Sequence, residues 1–306
     1  MKKIIIYLLT FVILSFGSLT IYYYIYNPDF IETIISNYKR QHTTLEKNKF
    51  NRYIRNNLAK PTNNFTPENK QDLLDIYYTV FASGMDEFTF FCSIGYDDCI
   101  DDIQLITEDS QLISHLNNFI HVYNSFHSVK TTYNANGRIT IIVNKVYTDE
   151  LIEKITNEID ELFPELVSDD SELEKNIKNV HDHIINITRY DVDFIDGISE
   201  YKSNTAYGPL FQGYGICSGY TDLMSLFLDR MPIIHQKVSN ENHVWNMVYL
   251  NDEWLHIDLT WNDPVSSDGK DYLLHDSFLL TTGELLQTNI DLDKDEHEFD
   301  QAIYLH

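Results

Sequence analysis

Cations are scarce in this chain. Its 306 residues hold 22 Lys and Arg against 47 Asp and Glu, a formal charge of −25 at pH 7. Residues 1–70 carry 10 Lys and Arg and 4 Asp and Glu, a net +6, so residues 71–306 carry −31. A body that acidic lacks the Lys and Arg that phosphate contacts need, which argues against nucleic acid as a partner. Cysteine is nearly absent too, with only Cys92, Cys99 and Cys217. In an extracellular protein an odd count leaves one thiol unpaired. Cys92 and Cys99 are close enough in FFCSIGYDDCID to close a small loop, leaving Cys217 over; the alternative is three reduced, buried thiols. Internal repeats and low-complexity tracts are missing. With 43% hydrophobic and 13% aromatic residues, the composition is that of a globular chain with a sizeable core.

One long apolar run is present. Ile4 to Tyr26 contains no charged residue, and about 20 helical residues cross a bilayer's hydrocarbon layer. Lys2 and Lys3 precede it, which places the N-terminus in the cytoplasm and the body outside; Tyr22, Tyr23, Tyr24 and Tyr26 fall at the outer headgroup layer. No alanine occurs before Ala59, so an A-x-A cleavage site is lacking. We read 1–27 as an uncleaved signal anchor in preference to a cleaved leader, and the localisation as single-pass in the cell membrane with the body extracellular. Residues 28–65 read as a polar helical stalk and linker, whose basic stretch Lys39 to Lys60 is a solvated, mixed-charge segment rather than a lipid-binding patch.

Beyond the linker, 66–165 reads as a small α/β domain: helix, strand, helix, then two alternating runs around Asn-Ala-Asn-Gly, a hairpin signal, and the amphipathic DELIEKITNEIDELF. It carries no chemical motif. A second domain, 168–306, opens with a long helix over SDDSELEKNIKNVHDHIINITRYD. A helix at CSGYTDLMSLFLDRM follows, then strands at IIHQKV, HVWNMVYL and EWLHIDLTW, the last two joined at Asn251-Asp252. The fold class expected is α+β, helices followed by an antiparallel sheet.

The loop GYGICSGY, Gly213 to Tyr220, gathers three of the 11 glycines around Cys217. It has no lysine after the glycines, so it is no P-loop, and its G-x-G-x-x-x-G spacing misses the dinucleotide fingerprint. Zinc ligands come in close pairs, and Cys217 has no near cysteine. His181 and His183, two apart on a helix, point to different faces. DLDKDEHEFD has Glu296 where a calcium loop needs glycine and Ala302 where it needs glutamate, so it reads as a solvated acidic tail. No metal is expected. The nucleophile reading remains. Cys217 sits where a helix begins, and a helix N-terminus stabilises a thiolate. The flanking glycines leave the backbone open to a substrate. A thiolate needs a histidine, and the histidine an orienting acid. If the hairpin is centred on Asn251-Asp252, partners sum to about 503, so Asp258 lies opposite residue 245 and His243 is its diagonal neighbour.

These residues together resemble a family. GICSGY (215–220), HVWN (243–246) and WLHIDLTWNDP (254–264), with HDHIINITRYD and AYGPLFQGYG as lead-in, resemble the bacterial transglutaminase-like superfamily over about residues 175–285. The resemblance implies a papain-like core with Cys217 as nucleophile, His243 as base and Asp258 as its orienting acid. The Cys217 backbone N–H, or the side chains of Gln212 and Tyr214, are candidates for the oxyanion hole; Trp245, Asn246 and Trp261 are expected in the walls of the site, while Trp254 is expected to be packing. The chemistry implied is acyl transfer on peptide or cell-wall peptide amides through a thioester, with no cofactor. Water as acceptor makes a peptidase or amidase, an amine makes a transglutaminase, and the triad does not choose between them. The rival reading is a non-catalytic surface binding or assembly module that keeps the fold.

Overall fold

The computed structural model describes residues 17, 21–22, 43–134, 136–168, 172–265, 272–292 and 296–305. The apolar run assigned as an anchor therefore lies outside the described residues, apart from Gly17, Ile21 and Tyr22, as does the stalk before residue 43. Among the described residues no helix is long and apolar enough to cross a membrane.

The order of elements follows the hydrophobic periods of the sequence. Helix α1 (Lys70–Ser83) is capped by Asn69 and ended by Gly84 in a left-handed conformation, a combination that satisfies both helix ends. Strand β1 (Glu87–Phe91), α2 (Cys99–Glu108), α3 (Ser110–Asn118), β2 (Phe126–Tyr133), β3 (Arg138–Lys145) and α4 (Asp149–Leu166) follow. Then come α5 (Leu173–Ile187), the short β4 (Arg189–Tyr190), α6 (Val192–Ile195), a π-helical turn at Gly208–Gln212, β5 (Tyr214–Gly215) and α7 (Cys217–Leu228). Strands β6 (Ile234–Ser239), β7 (Val244–Leu250) and β8 (Glu253–Ile257) lead to α8 (Leu259–Asn262), β9 (Phe278–Thr281), α9 (Thr282–Leu292) and α10 (Gln301–Tyr304). The architecture is mixed α+β with antiparallel main sheets, ordered β1-β3-β2 and β6-β7-β8-β9. The only parallel pair among the described strands is the two-residue β4-β5.

Two expectations need correction. The first half is α+β rather than α/β: β1 and β2 both pair antiparallel with β3, and the β2–β3 pair is the expected hairpin. Residues 43–65 are neither helical nor a stalk. They lie along the body, burying Ile54, Ala59 and Phe65. Arg52 pairs with Asp229 and donates to the His235 carbonyl at 3.3 Å. The mixed polar and apolar residues here have no helical stripe because the apolar ones pack against the helices and sheet of the body.

The four-stranded sheet lies between two cores. Trp245 and Met247 face one, with Leu73, Phe81, Phe90 and Tyr304. Val248 and Ile257 face the other, with Ile155, Ile177, Leu223 and Phe227. Both cores draw residues from either side of 165–168. Helix α7 is anchored by a buried polar cluster: Asp222 accepts from Lys237 Nζ at 3.1 Å and from the Tyr147 hydroxyl at 2.7 Å, and Tyr147 accepts the Ala206 N–H at 2.8 Å. Such a buried pair holds only while every member is satisfied.

Gly219, two residues after Cys217, serves this packing. A Cβ on Gly219 would meet the Ser203 carbonyl oxygen at 2.2 Å, and that same oxygen accepts the Ile216 N–H at 2.9 Å. Gly219→Ala should therefore force the start of α7 off the 203–205 backbone, at a cost of about 1–3 kcal/mol as overpacking. Urea denaturation would show this as a lowered midpoint. An unchanged midpoint would mean that the loop yields freely.

Candidate active site

The turn at Asn251 and Asp252, both at positive φ (53° and 65°), sets the register of the β7–β8 hairpin, since only such turns match the strand twist. Asn246 pairs with Ile257 and Tyr249 with Trp254, which is the expected sum of 503. Strand β8 stops at Ile257, because Asp258 caps the next helix. Its Oδ1 accepts from Thr260 N at 2.9 Å, Thr260 Oγ1 at 2.7 Å and Trp261 N at 3.3 Å. The stretch Leu259–Trp261, expected as strand, belongs to α8 for that reason. Oδ2 is left for the histidine: His243 Nε2 lies 2.5 Å from it.

With Nε2 donating to Asp258, the other ring nitrogen of His243 is available to Cys217. The thiol is the first residue of α7; it is free and partly exposed. It lies within interaction reach of the His243 ring. Both line one cleft of about 880 Å³, together with Tyr190, Ser239 and Glu296. A smaller cavity of about 310 Å³, lined by Trp261, Thr260 and Pro264, also reaches His243. The parallel β4–β5 pair sets Tyr190 opposite Gly215, which carries the tyrosine to the mouth of the cleft.

The electrostatics agree with this geometry. Burial alone would lower the His243 pKa, but the Asp258 charge and hydrogen bond, with Cys217, raise it to about 10. Burial would raise the Asp258 carboxyl, and the His243 charge with the hydrogen bonds it accepts holds it well below the usual carboxylate range instead.

The structure brings Cys217, His243 and Asp258 together. The other expected residues scatter. Trp245 is buried behind His243, stacked at 5.7 Å between ring centres, and donates Nε1–H to His256 Nδ1 at 2.9 Å. Asn246 is 0% exposed and donates to the Thr221 carbonyl at 3.2 Å and Ser225 Oγ at 2.8 Å. It ties β7 to α7 and does not line the cleft that holds Cys217 and His243, because neighbours on a strand face opposite ways. Gln212 accepts the Lys202 N–H at 2.8 Å, and Tyr214 stacks on Tyr201 at 4.2 Å. Neither lines the cleft. Trp254 packs against the first core. Two residues escaped the sequence reading. Tyr190 is one. The other is His297, 0% exposed within the segment read as a solvated tail, its Nε2 at 2.8 Å from Asp258 Oδ2.

Among the described residues two groups hold three ligand-type side chains within 4.8 Å: His243, Asp258 and His297, and His181, Asp182 and His275. In the second, Asn262 Oδ1 accepts the Ser277 N–H at 2.9 Å. Its Nδ2 must then donate to His181 Nε2, 2.9 Å away. That fixes the proton of His181 on Nδ1, which donates to Asp182 at 2.8 Å, so the atom facing the cluster is a donor and not a ligand. In the first, both imidazoles spend their Nε2–H on one carboxylate oxygen.

Buried histidines set the response to pH. Burial first, then nearby positive charge, lowers His121 and His256 to about 3; burial, against the pull of Asp182, lowers His181 to about 4. These groups take up protons only on unfolding as pH drops below 6.5, so stability is lost between about 6.5 and 3, by about 1.4 kcal/mol per group per pH unit. His243 has the opposite sign. Its contribution is complete below 6.5 and is lost as pH rises through about 10. Urea midpoints should therefore peak near pH 6.5 and fall on both sides. A flat profile from pH 4 to 6.5 would contradict the neutral, buried state of these rings.

No protein-family model matches this chain, and no curated protein matches it. Distant structural similarity is found to a structure described as that of a TGase, 13% identical, with a TM-score of 0.32 over 60% of this chain and 54% of the other. It is also found to a "Putative Cysteine Protease from Cytophaga hutchinsonii", 12% identical, with a TM-score of 0.26 over 44% of this chain and 61% of the other. The chain thus matches little more than half of the length of either, and the resemblance is at most one of fold.

Proposed function

We propose that this protein is a membrane-anchored, extracellular cysteine enzyme that transfers acyl groups from peptide or protein amides through a thioester. The observation that carries this reading is the Cys217–His243–Asp258 relay: a cysteine at a helix start, a histidine beside it in the cleft, and a buried carboxylate 2.5 Å from the far nitrogen of that histidine. The Ile4 to Tyr26 run and the Cys92–Cys99 disulfide support the placement outside the membrane, since disulfides persist in oxidising compartments.

In this scheme the Cys217 thiol gives its proton to His243, and the sulfur attacks the amide carbonyl carbon. The C–N bond then breaks. His243 returns its proton to the leaving amine, and the acyl group stays on Sγ as a thioester. Water or a second amine next loses a proton to His243 and attacks the thioester, giving an acid or a new amide and restoring the thiol. Asp258 keeps the imidazole in the tautomer that faces the sulfur and stabilises its charged form. The first N–H groups of α7 are the oxyanion donors closest in sequence to the sulfur.

Alkylation of the full-length protein by iodoacetamide at pH 6 tests the relay without a known substrate. Cys217 should react at least about tenfold faster than in His243→Ala, and Cys217→Ser should remove the labelled site. Equal rates in wild type and His243→Ala would remove the catalytic reading and make a binding or assembly module the better account. Protease shaving of intact cells tests the placement, and a body protected until the cells are lysed would contradict it.

A further inference from the structure

The relay leaves one buried titratable side chain unused. His297 belongs to the C-terminal segment 296–305, and its imidazole sits in a box. Trp245 stands edge-on at 5.3 Å, Trp261 is tilted at 5.1 Å and His243 lies at 5.7 Å between ring centres. The fourth wall is the Asp258 carboxylate, at 2.8 Å from Nε2. The segment is fastened at both ends. Asn240 Nδ2 donates to the Glu296 carbonyl at 2.7 Å. At the other end Gln236 Nε2 donates to the Tyr304 carbonyl at 2.9 Å. The buried Tyr304 hydroxyl meets His115 Nδ1 at 2.6 Å and Asn118 Nδ2 at 2.8 Å.

We propose that His297 is a positioning residue of the reaction: the C-terminal segment supplies a second imidazole N–H that fixes Asp258 for His243, so the relay has four members. The proposal rests on the cysteine-enzyme reading above. Its physical basis is the division of labour on one carboxylate. Oδ1 is held by three donors from its own turn. Oδ2 would have His243 alone without His297, and His243 is the ring that must gain and lose a proton in each cycle. A second fixed donor keeps Oδ2 in place through that cycle. It also shares the electron density of Oδ2, which weakens the hold of Asp258 on the His243 proton. A residue needed only to fill the box between two tryptophans would require no N–H. The groups facing the two rings are Cys217 from α7, Asp258 ahead of α8, His256 from β8, Tyr190 from β4 and Glu296 on the segment itself.

The test is the pH profile of Cys217 alkylation in the full-length protein, from pH 4 to 11, with urea midpoints as a folding control. Loss of the N–H in His297→Phe or His297→Met should move the alkaline inflection, where His243 gives up its proton, upward by about one pH unit. His297→Gln, which restores an N–H donor, should return it most of the way to the wild-type position. A purely structural role would lower the urea midpoint and leave the inflection in place, and that result would overturn the proposal. If His243→Ala also leaves the profile unchanged, the cysteine-enzyme reading itself fails. Should neither apolar variant fold, the wild-type protein labelled with ¹⁵N-histidine decides: two strongly deshielded Nε2–H protons are expected at pH 6.5, and a single one would refute the shared carboxylate.

Discussion

A single buried carboxylate organises this part of the molecule. Asp258 is 1% exposed, and an unpaired charge there would cost several kcal/mol. It is satisfied by five donors: Thr260 N, Thr260 Oγ1, Trp261 N, His243 Nε2 and His297 Nε2. Each comes at a structural condition. The first three require the chain to turn into α8 right after β8. The fourth requires the hairpin register that brings His243 diagonally across. The fifth requires the C-terminal segment to return to the sheet. Meeting these conditions also places a charged imidazole against the start of α7.

The rest of the fold keeps those parts from drifting. The backbone N–H of Asp258 donates to the Ser277 carbonyl at 2.9 Å, and Asn262 links Ser277 to His181 on α5. The sheet behind His243 is packed on both faces, so it has no soft side. Helix α7 is held by Asp222 with Lys237 and Tyr147, and by the contact that only glycine at 219 permits. Residues 43–65 close over the far side through Arg52 and Asp229. A cysteine at the helix start thus faces its histidine on a rigid frame, as the proposed acyl transfer would require.

What was legible in the sequence was what is local or periodic. The start of α7 at Cys217 followed from the glycine-rich lead and the apolar stripe after it. The β7–β8 register followed from Asn251-Asp252, since a two-residue turn leaves one way to pair the strands. Period 2 also held the answer for Asn246, which must face away from Trp245; the motif HVWN obscured that. His297 was hidden because nothing local distinguishes it. Its neighbours are acidic and exposed, and its partner is 39 residues away. The residues 43–65 lacked a stripe because their burial is against distant elements. Trp261 was expected in the site as substrate wall, and it lines both the smaller cavity and the box around His297.

The measurement that tests the central claim most directly is the alkylation rate of Cys217 at pH 6 in Asp258→Asn, with circular dichroism to show that the variant is folded. The amide keeps the size and the capping oxygen of the aspartate but removes the charge that stabilises the His243 imidazolium. The account predicts that the cysteine then reacts as slowly as in a protein without His243. A folded Asp258→Asn that alkylates at the wild-type rate would contradict it.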